Sequence, residues 1–308
     1  MDRARTVKKR SPANNSGEGK PSLYIFRNFI STFLIGFFMG IANLVPGVSG
    51  GTVAFMTGIF EKLVSSLANL SFKNVLKLFT KKGFAKGFKE NGYDFLLILV
   101  SGAVLSIIVL SKPMSFLLEK FPVLTLLFFS GLILGSLPII YSNIGKKSRL
   151  SYSFVGFLFV FTVNLIEKNY HNAASFNDSL LFLFLSGALA MCAMILPGVS
   201  GAFVLVLLGQ YEKVINAVNV IDIKILLLFG SGAILGIVLF AKFLKFIFSR
   251  HRDSILGFFF GTMIAAAIFL PDNKLKTFIA SYRNILPFLS GFVVALLFSI
   301  YEIRAKRR

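Results

Sequence analysis

The stretch 46–51, Pro46-Gly47-Val48-Ser49-Gly50-Gly51, interrupts one long apolar segment, and the stretch 197–202, Pro197-Gly198-Val199-Ser200-Gly201-Ala202, interrupts a second. The two segments, 28–60 and 179–211, each hold 33 consecutive uncharged residues. One crossing of a bilayer takes about 20 residues, so both runs are too long for one straight helix. Proline removes a backbone donor and clashes with the preceding turn, and glycine adds backbone freedom. We therefore predict that a helix breaks at each stretch.

The two stretches belong to an internal repeat. Shifted by 151 positions, residues 46–62 align without a gap on residues 197–213, and nine of the 17 positions are identical. Farther along, an offset of 130 pairs Ser101-Gly102-Ala103 with Ser231-Gly232-Ala233. Chance similarity of apolar segments produces leucine matches, but hardly a gapless P-G-V-S-G followed by E-K at the same distance. The pattern predicts a duplication, with repeat 1 at about 28–166 and repeat 2 at about 179–303.

The composition is that of a polytopic, all-α membrane protein. Of 308 residues, 56% are hydrophobic and only 15% are charged, and the mean hydropathy is +0.78. A soluble domain has about a quarter charged residues, so soluble and disordered classes are excluded. With two His and a single Cys192, we expect no metal site, no internal disulfide and no cofactor.

The net charge of +20 sits in tails and in the stretches between uncharged runs, which is the positive-inside pattern and not a nucleic-acid-binding surface. With the N-terminus inside, 24 Lys and Arg fall on the inner side and 7 on the outer side. We expect a disordered basic tail at 1–22, a single membrane domain at 23–308, and both termini in the cytoplasm. A signal peptide is the alternative for the N-terminus, but no A-x-A-like cleavage site follows the first apolar run.

Each half then contains one broken pair and three spans. If the broken pair re-enters, the half crosses the membrane three times, and if both members span, it crosses five times. Both numbers are odd. The halves would insert with opposite orientation, as in inverted-repeat secondary transporters. The expected spans are 93–111, 121–141 and 150–166 in the first half, and 225–243, 254–270 and 284–301 in the second. About a dozen uncharged residues follow the first break, roughly 18 Å of helix, which favours a re-entrant hairpin over two full spans.

A helix that begins just after each break directs its first backbone N–H groups at whatever precedes it, which suits a phosphate or carboxylate. Glycine permits close approach, and Ser49 and Thr52 add hydroxyls. The alternative is a kink with small-residue packing, since Gly47 and Gly51 also read as G-x-x-x-G. The candidate binding residues are Asn43, Pro46, Gly47, Ser49, Gly50, Gly51, Thr52, Pro197, Gly198, Ser200 and Gly201.

Two acid–base pairs recur at the same distance from the breaks, Glu61-Lys62 and Glu212-Lys213. They are candidates for coupling transport to H+ or Na+, or for contacting a headgroup. The alternative is that both pairs mark helix ends at the membrane interface.

Residues 40–52, with Gly58-Ile59-Phe60-Glu61-Lys62-Leu63, resemble the signature of the PopT-type polyprenyl-phosphate transporters, and Leu196 to Lys213 resemble that family's second half. The resemblance implies that the protein returns undecaprenyl phosphate, the lipid carrier of cell-wall precursors, to the inner leaflet of the bacterial cytoplasmic membrane. It also implies a transporter, not an enzyme, with no catalytic residue.

Other functions remain open at this point. Inverted repeats with broken helices also serve ion and small-solute transporters. A polyprenyl-pyrophosphate phosphatase needs cationic clamps around the reacting phosphoryl group, whereas the arginines of this chain fall in tails, loops and span ends. A passive structural role does not explain two identical breaks.

Overall fold

The computed structural model describes residues 21–45, 47–71, 74, 84–145, 148–169, 179–270 and 285–307, and the regular structure in these ranges is helical. Of the expected tail at 1–22, residues 1–20 lie outside the described residues, as does Pro46, and residues 21–22 begin α1. The helices are α1 Pro21–Asn43, α2 Gly50–Met56, α3 Phe60–Ala68, α4 Phe84–Glu90, α5 Tyr93–Lys120, α6 Pro122–Asn143, α7 Ser148–Asn169, α8 Leu180–Ile195, α9 Gly201–Leu207, α10 Tyr211–Asn219, α11 Ile223–Phe269 and α12 Ile285–Arg307.

Both predicted breaks are confirmed. The first long helix ends at Asn43 and the next begins at Gly50, while the second ends at Ile195 and the next begins at Gly201. Gly47 and Gly198, 151 positions apart, have φ values of +80° and +81°, a left-handed conformation that glycine adopts without strain. The turn is therefore the same in the two copies.

The short helices after each break are too short to cross a membrane alone. The seven residues of α2 or α9 rise about 10 Å, against about 30 Å of hydrocarbon. A second left-handed glycine then bends the chain again, Gly58 in the first copy and Gly209 in the second. In the second copy, helices α9 and α10 are bent by 117° relative to each other.

Two pairs of expected spans are joined without a loop. The expected spans 225–243 and 254–270 are two helices, 223–250 and 252–269, that meet at a kink where His251 has non-helical dihedrals. Similarly, α5 continues past position 111 to Lys120, with Pro113 inside it. Lys, Arg and Glu are good helix formers, so charge ends an apolar run without ending a helix.

The non-helical residue in α11 has an equivalent in the first half. His251 has φ −134° and ψ 44°, and Phe121, which separates α5 from α6, has φ −132° and ψ 48°. The two residues are 130 positions apart, the offset of the downstream repeat. The two arms of α11, 223–250 and 252–269, thus correspond to α5 and α6.

Glycine contacts between helices recur at the repeat offsets. A Cβ on Gly102 of α5 would collide with the Phe33 carbonyl of α1, and one on Gly232 of α11 would collide with the Phe184 carbonyl of α8. Gly102 and Gly232 are 130 positions apart, and Phe33 and Phe184 are 151 apart. The close packing of α1 on α5 is therefore reproduced by α8 on the first arm of α11.

The last helix of each half packs against the other half. Gly291 of α12 lies against the Phe128 carbonyl of α6, and Gly156 of α7 lies against the Phe258 carbonyl of α11. Phe128 and Phe258 are again 130 positions apart. This exchange of final helices ties the two halves into one body.

Three helices are long and apolar enough to cross a membrane by length and composition within the described chain: Tyr93–Lys120, Pro122–Ser142 and Ile223–Phe269. Their outer faces carry large apolar side chains such as Ile108 and Leu227. At 47 residues, α11 would rise about 70 Å if straight, more than twice the hydrocarbon thickness. The chain is a multi-pass helical membrane protein.

Candidate functional site

The two interrupted segments meet in the interior. The Ser49 hydroxyl donates to the Leu196 carbonyl at 3.1 Å, and the Gly198 N–H donates to Thr52 Oγ1 at 3.1 Å. A Cβ on Gly51 would collide with the Ile195 carbonyl. The break of one half is therefore hydrogen-bonded to the break of the other, and small-residue packing is confirmed at Gly51.

The first turn of α2 is capped by the chain itself. Ser49 is the N-cap, and its Oγ accepts from the Thr52 N–H at 3.3 Å. Asn43, at the end of α1, accepts from the Gly50 N–H through Oδ1 at 2.7 Å. Ser49 and Thr52 are each only 1% exposed. An anion that binds these amides must therefore displace the side chains of Asn43 and Ser49.

The second break is less completely capped. Ser200 is the N-cap of α9 but makes no side-chain capping hydrogen bond. Pro197 is buried, and a Cβ on Gly198 would stand 2.7 Å from the Thr262 carbonyl. A Cβ on Gly201 would likewise stand 2.7 Å from the Ala190 carbonyl. Both glycines are therefore held closely by neighbouring backbone.

A buried hydrogen-bond acceptor lies between α9 and α10, the two short helices that follow the second break. Gln210, the N-cap of α10, is 2% exposed, and its Oε1 has no hydrogen-bond partner among the described residues. Buried polar atoms are almost always paired, so this atom is available to a bound water or ligand.

Glu61 is held by a residue from the other half of the chain. In the first turn of α3, its Oε1 accepts from Arg252 Nη2 at 2.7 Å and from Arg252 Nε at 2.9 Å. Arg252 follows the non-helical His251 in α11. The two side chains are about half exposed, at 49% and 51%. Lys62, the other member of the acid–base pair predicted from the sequence, has its Nζ 4.3 Å from the centre of the Phe95 ring.

A cleft of about 80 Å³ opens beside this ion pair. Its apolar part rests on packed aromatic rings, with Phe60 5.5 Å from Phe55 and 5.3 Å from Phe259 between ring centres. The lining residues are Phe55, Gly58, Phe60, Glu61, Ile139, Ile140, Arg252 and Leu256. The cleft therefore combines an apolar wall with a single pair of opposite charges.

The second copy of the acid–base pair has different surroundings. Glu212, in the first turn of α10, is exposed, and Lys213 is partly buried. The position 130 before Arg252 is Pro122, which cannot pair with a carboxylate. Repeat-related side chains also differ in burial: Phe60 is 2% exposed and Tyr211 40%, while Val64 is 1% exposed and Ile215 42%. The two hairpins are alike in backbone but differ in packing.

Arg252 is the residue that sequence reasoning missed. In the sequence, the arginines fall in tails, loops and span ends, so they were interpreted only as signals of how the chain is oriented in the membrane. The partner of Arg252 lies 191 positions away, and nothing in the local sequence indicates that pairing. One signal could have indicated Arg252. It follows His251, the repeat equivalent of Phe121, and the corresponding position of the first half, 122, is proline.

The chain is similar to known proteins over most of its length. A family model described as undecaprenyl phosphate translocase-like matches residues 39–283. A polyprenyl-phosphate transporter of Vibrio cholerae is 38% identical over 239 residues, 77% of this chain and 76% of the relative. A polyprenyl-phosphate transporter of Staphylococcus aureus is 29% identical over 282 residues, 85% of this chain and 93% of the relative. No solved structure matches the chain.

Proposed function

Because the chain belongs to the undecaprenyl phosphate translocase-like family, we propose that it moves undecaprenyl phosphate across the bacterial cytoplasmic membrane by alternating access. The lipid would return to the inner leaflet for reuse, and the chain would act as a transporter without catalysing a reaction. The matching family and the names of the relatives support polyprenyl phosphate transport. The observation that carries the mechanism is the contact between the two breaks, through Ser49 and Thr52.

The proposed architecture is an inverted repeat with two re-entrant hairpins, one formed by α1 with α2 and α3 and the other by α8 with α9 and α10. The recurrence of turn dihedrals and glycine contacts at offsets of 151 and 130 supports two structurally equivalent halves. The 24-to-7 distribution of Lys and Arg supports opposite insertion of the halves with both termini in the cytoplasm. In this orientation the first hairpin enters from the cytoplasmic side and the second from the outer side.

The headgroup would bind where the breaks meet. A phosphate is a stronger acceptor than the neutral oxygens that cap α2, because hydrogen bonds to charged groups are the stronger ones. It would take over the Gly50 and Thr52 N–H groups from Asn43 and Ser49 in the first copy. In the second copy, the start of α9 at Ser200 and Gly201 offers N–H groups without a side-chain cap. Gly47, Gly51, Pro197 and Gly198 are proposed to hold the turns in the shape that presents these N–H groups to the phosphate. Pro46, which lies outside the described residues, is proposed for the same role.

Glu61 and Glu212 are the proposed coupling groups. Each lies in the first turn of the second helix after a break, and each is followed by lysine, Lys62 or Lys213. A carboxylate that changes partner when a hairpin moves can bind H+ or Na+ on one side of the membrane and release it on the other.

The test is a leaflet-resolved flipping assay in liposomes with labelled undecaprenyl phosphate. We expect wild-type protein to move the lipid faster than empty liposomes, and Thr52→Val and Ser49→Ala to slow it, since each removes a contact between the breaks. Thr162→Val is the matched control, because within the described residues its hydroxyl bonds inside its own helix, to the Leu158 carbonyl, on the exposed side of α7. Wild-type rates equal to those of empty liposomes would refute the proposal. Release of phosphate from undecaprenyl pyrophosphate would indicate an enzyme instead.

A further inference from the structure

We propose that Arg252 binds the phosphate of the lipid in the cleft between α3 and α11, and that Glu61 is the internal anion which this phosphate displaces. The inference rests on the proposed function and adds a second headgroup station to it, separate from the contact between the breaks. The ligand class is a lipid phosphate monoester.

The geometry of the ion pair leaves room for this exchange. Nε and Nη2 of Arg252 donate to a single oxygen of Glu61, so two of the five guanidinium N–H groups are used within the described structure. A phosphate presents three acceptor oxygens and a charge between −1 and −2 near neutral pH, and arginine matches its planar, bidentate geometry. A half-exposed ion pair contributes little stability, so a stronger anion can replace the carboxylate.

The lining of the cleft selects an amphiphile. Apart from Glu61 and Arg252, the side chains that line it are apolar, and Gly58 contributes backbone only. The volume of about 80 Å³ holds several waters and is sufficient for a phosphate group. A prenyl chain attached to that phosphate can continue along the aromatic wall at Phe55 and Phe60. Free phosphate lacks this apolar part, so it should bind more weakly than a lipid phosphate.

Among the described residues, the arginine of this station has no equivalent in the first half, where proline stands at position 122. Glu61 is paired with Arg252, and Glu212 lies exposed in the first turn of α10. The two ends of the transport path therefore offer different electrostatics. An arginine at one end holds the headgroup there more strongly than at the other.

The rival explanation is a latch, in which the ion pair only holds α3 against α11. The two explanations predict different changes in ligand affinity when either charge is removed. If the pair is a latch, removing either charge loosens the same contact, and both substitutions change ligand affinity in the same direction. If Glu61 competes with phosphate for Arg252, then Glu61→Gln tightens binding and Arg252→Gln weakens it.

The experiment measures binding to purified full-length protein in nanodiscs, with undecaprenyl phosphate, undecaprenol and inorganic phosphate as separate probes. We expect Arg252→Gln to weaken undecaprenyl phosphate binding by about ten- to a hundredfold, the range for lost charge-assisted hydrogen bonds. Glu61→Gln should tighten it by up to about fivefold, the range for an exposed ion pair. Undecaprenol and inorganic phosphate should both bind more weakly than the lipid phosphate.

Lys245→Gln is the matched control. Lys245 is also a cation of α11 that reaches the first half, where its Nζ donates to Asn69 Oδ1 at 3.1 Å, but it does not line the cleft. Its substitution should leave binding unchanged. Arg252→Lys, which keeps the charge and loses the planar fork, should fall between wild type and Arg252→Gln, and it replaces that variant if the latter fails to fold.

The outcomes separate the inference from the function it rests on. If wild type binds undecaprenyl phosphate but Arg252→Gln binds equally well, or if Glu61→Gln and Arg252→Gln both weaken binding, the headgroup station is refuted and the transport proposal stands. If wild type does not bind the lipid phosphate at all, both fail.

Discussion

Adding one methyl group at Gly232 should destabilise the protein, while the same methyl two residues earlier, at Gly230, should not. A Cβ on Gly232 would collide with the Phe184 carbonyl oxygen and stand 2.8 Å from its carbon and 3.1 Å from Cα. A Cβ on Gly230 meets no atom of the described residues within 4 Å. Both glycines lie inside α11, so the change in helix propensity is the same at both sites.

The expected magnitudes follow from these contacts. Gly to Ala in a helix interior gains about 1 kcal/mol in propensity. Overpacking costs about 1–3 kcal/mol, and the upper end applies to Gly232 because the obstacle is backbone, which cannot rotate away. Gly230→Ala should therefore stabilise by up to about 1 kcal/mol, and Gly232→Ala should destabilise by about 2 kcal/mol, a difference of about 3 kcal/mol between neighbours.

The assay is unfolding in mixed micelles with increasing sodium dodecyl sulfate. Helicity measured by circular dichroism serves as the signal, because the chain has no tryptophan. Gly102→Ala, at the equivalent contact with Phe33, should behave like Gly232→Ala. Equal stabilities of Gly230→Ala and Gly232→Ala would refute the close packing of α8 on α11 and, with it, the equivalence of the two halves.

Three further substitutions test other contacts. Gly198→Ala should destabilise by about 1–2 kcal/mol or more in the same titration, because φ is +81° there, and Ala at Gly230 again supplies the comparison. Ser299→Ala should lose about 1 kcal/mol, since its fully buried hydroxyl donates to the Gly135 carbonyl at 3.1 Å; no loss would contradict the packing of α12 on α6. In a Cys192→Ala background, a cysteine replacing Ile215 should react with a water-soluble maleimide much faster than one replacing Val64, and equal rates would contradict the difference in burial between the hairpins.

The sequence was sufficient for the breaks and the duplication because both depend on local chemistry. Proline and glycine act on their own turn of helix, and Gly47 and Gly198 adopt left-handed turns at the breaks that the pattern predicts. The contact of one break with the other also follows once two equivalent halves are assumed. The capping of Gly50 by Asn43 was less accessible, because asparagine before a break is equally compatible with several contacts.

The remaining features depend on distant residues. The exchange of final helices is decided by which glycine faces which carbonyl, and Gly156 and Phe258 are far apart in the chain. The ion pair of Glu61 with Arg252 joins the two halves across 191 positions. Charge also misled the prediction of the span bounds around residues 242–253, because lysine and arginine continue the helix up to the kink at His251.

The difference in burial between the hairpins fits the alternating-access cycle proposed above. The halves share their backbone turns, yet Val64 is buried and Ile215 is exposed, so the two hairpins differ in packing. In a transporter that alternates between two states, one hairpin must be closed against the body when the other is open. Under that proposal, the closed hairpin would be the one that Arg252 holds through Glu61. Opening it would then require a replacement partner for the guanidinium, and the headgroup station proposed above predicts that an arriving lipid phosphate is that partner.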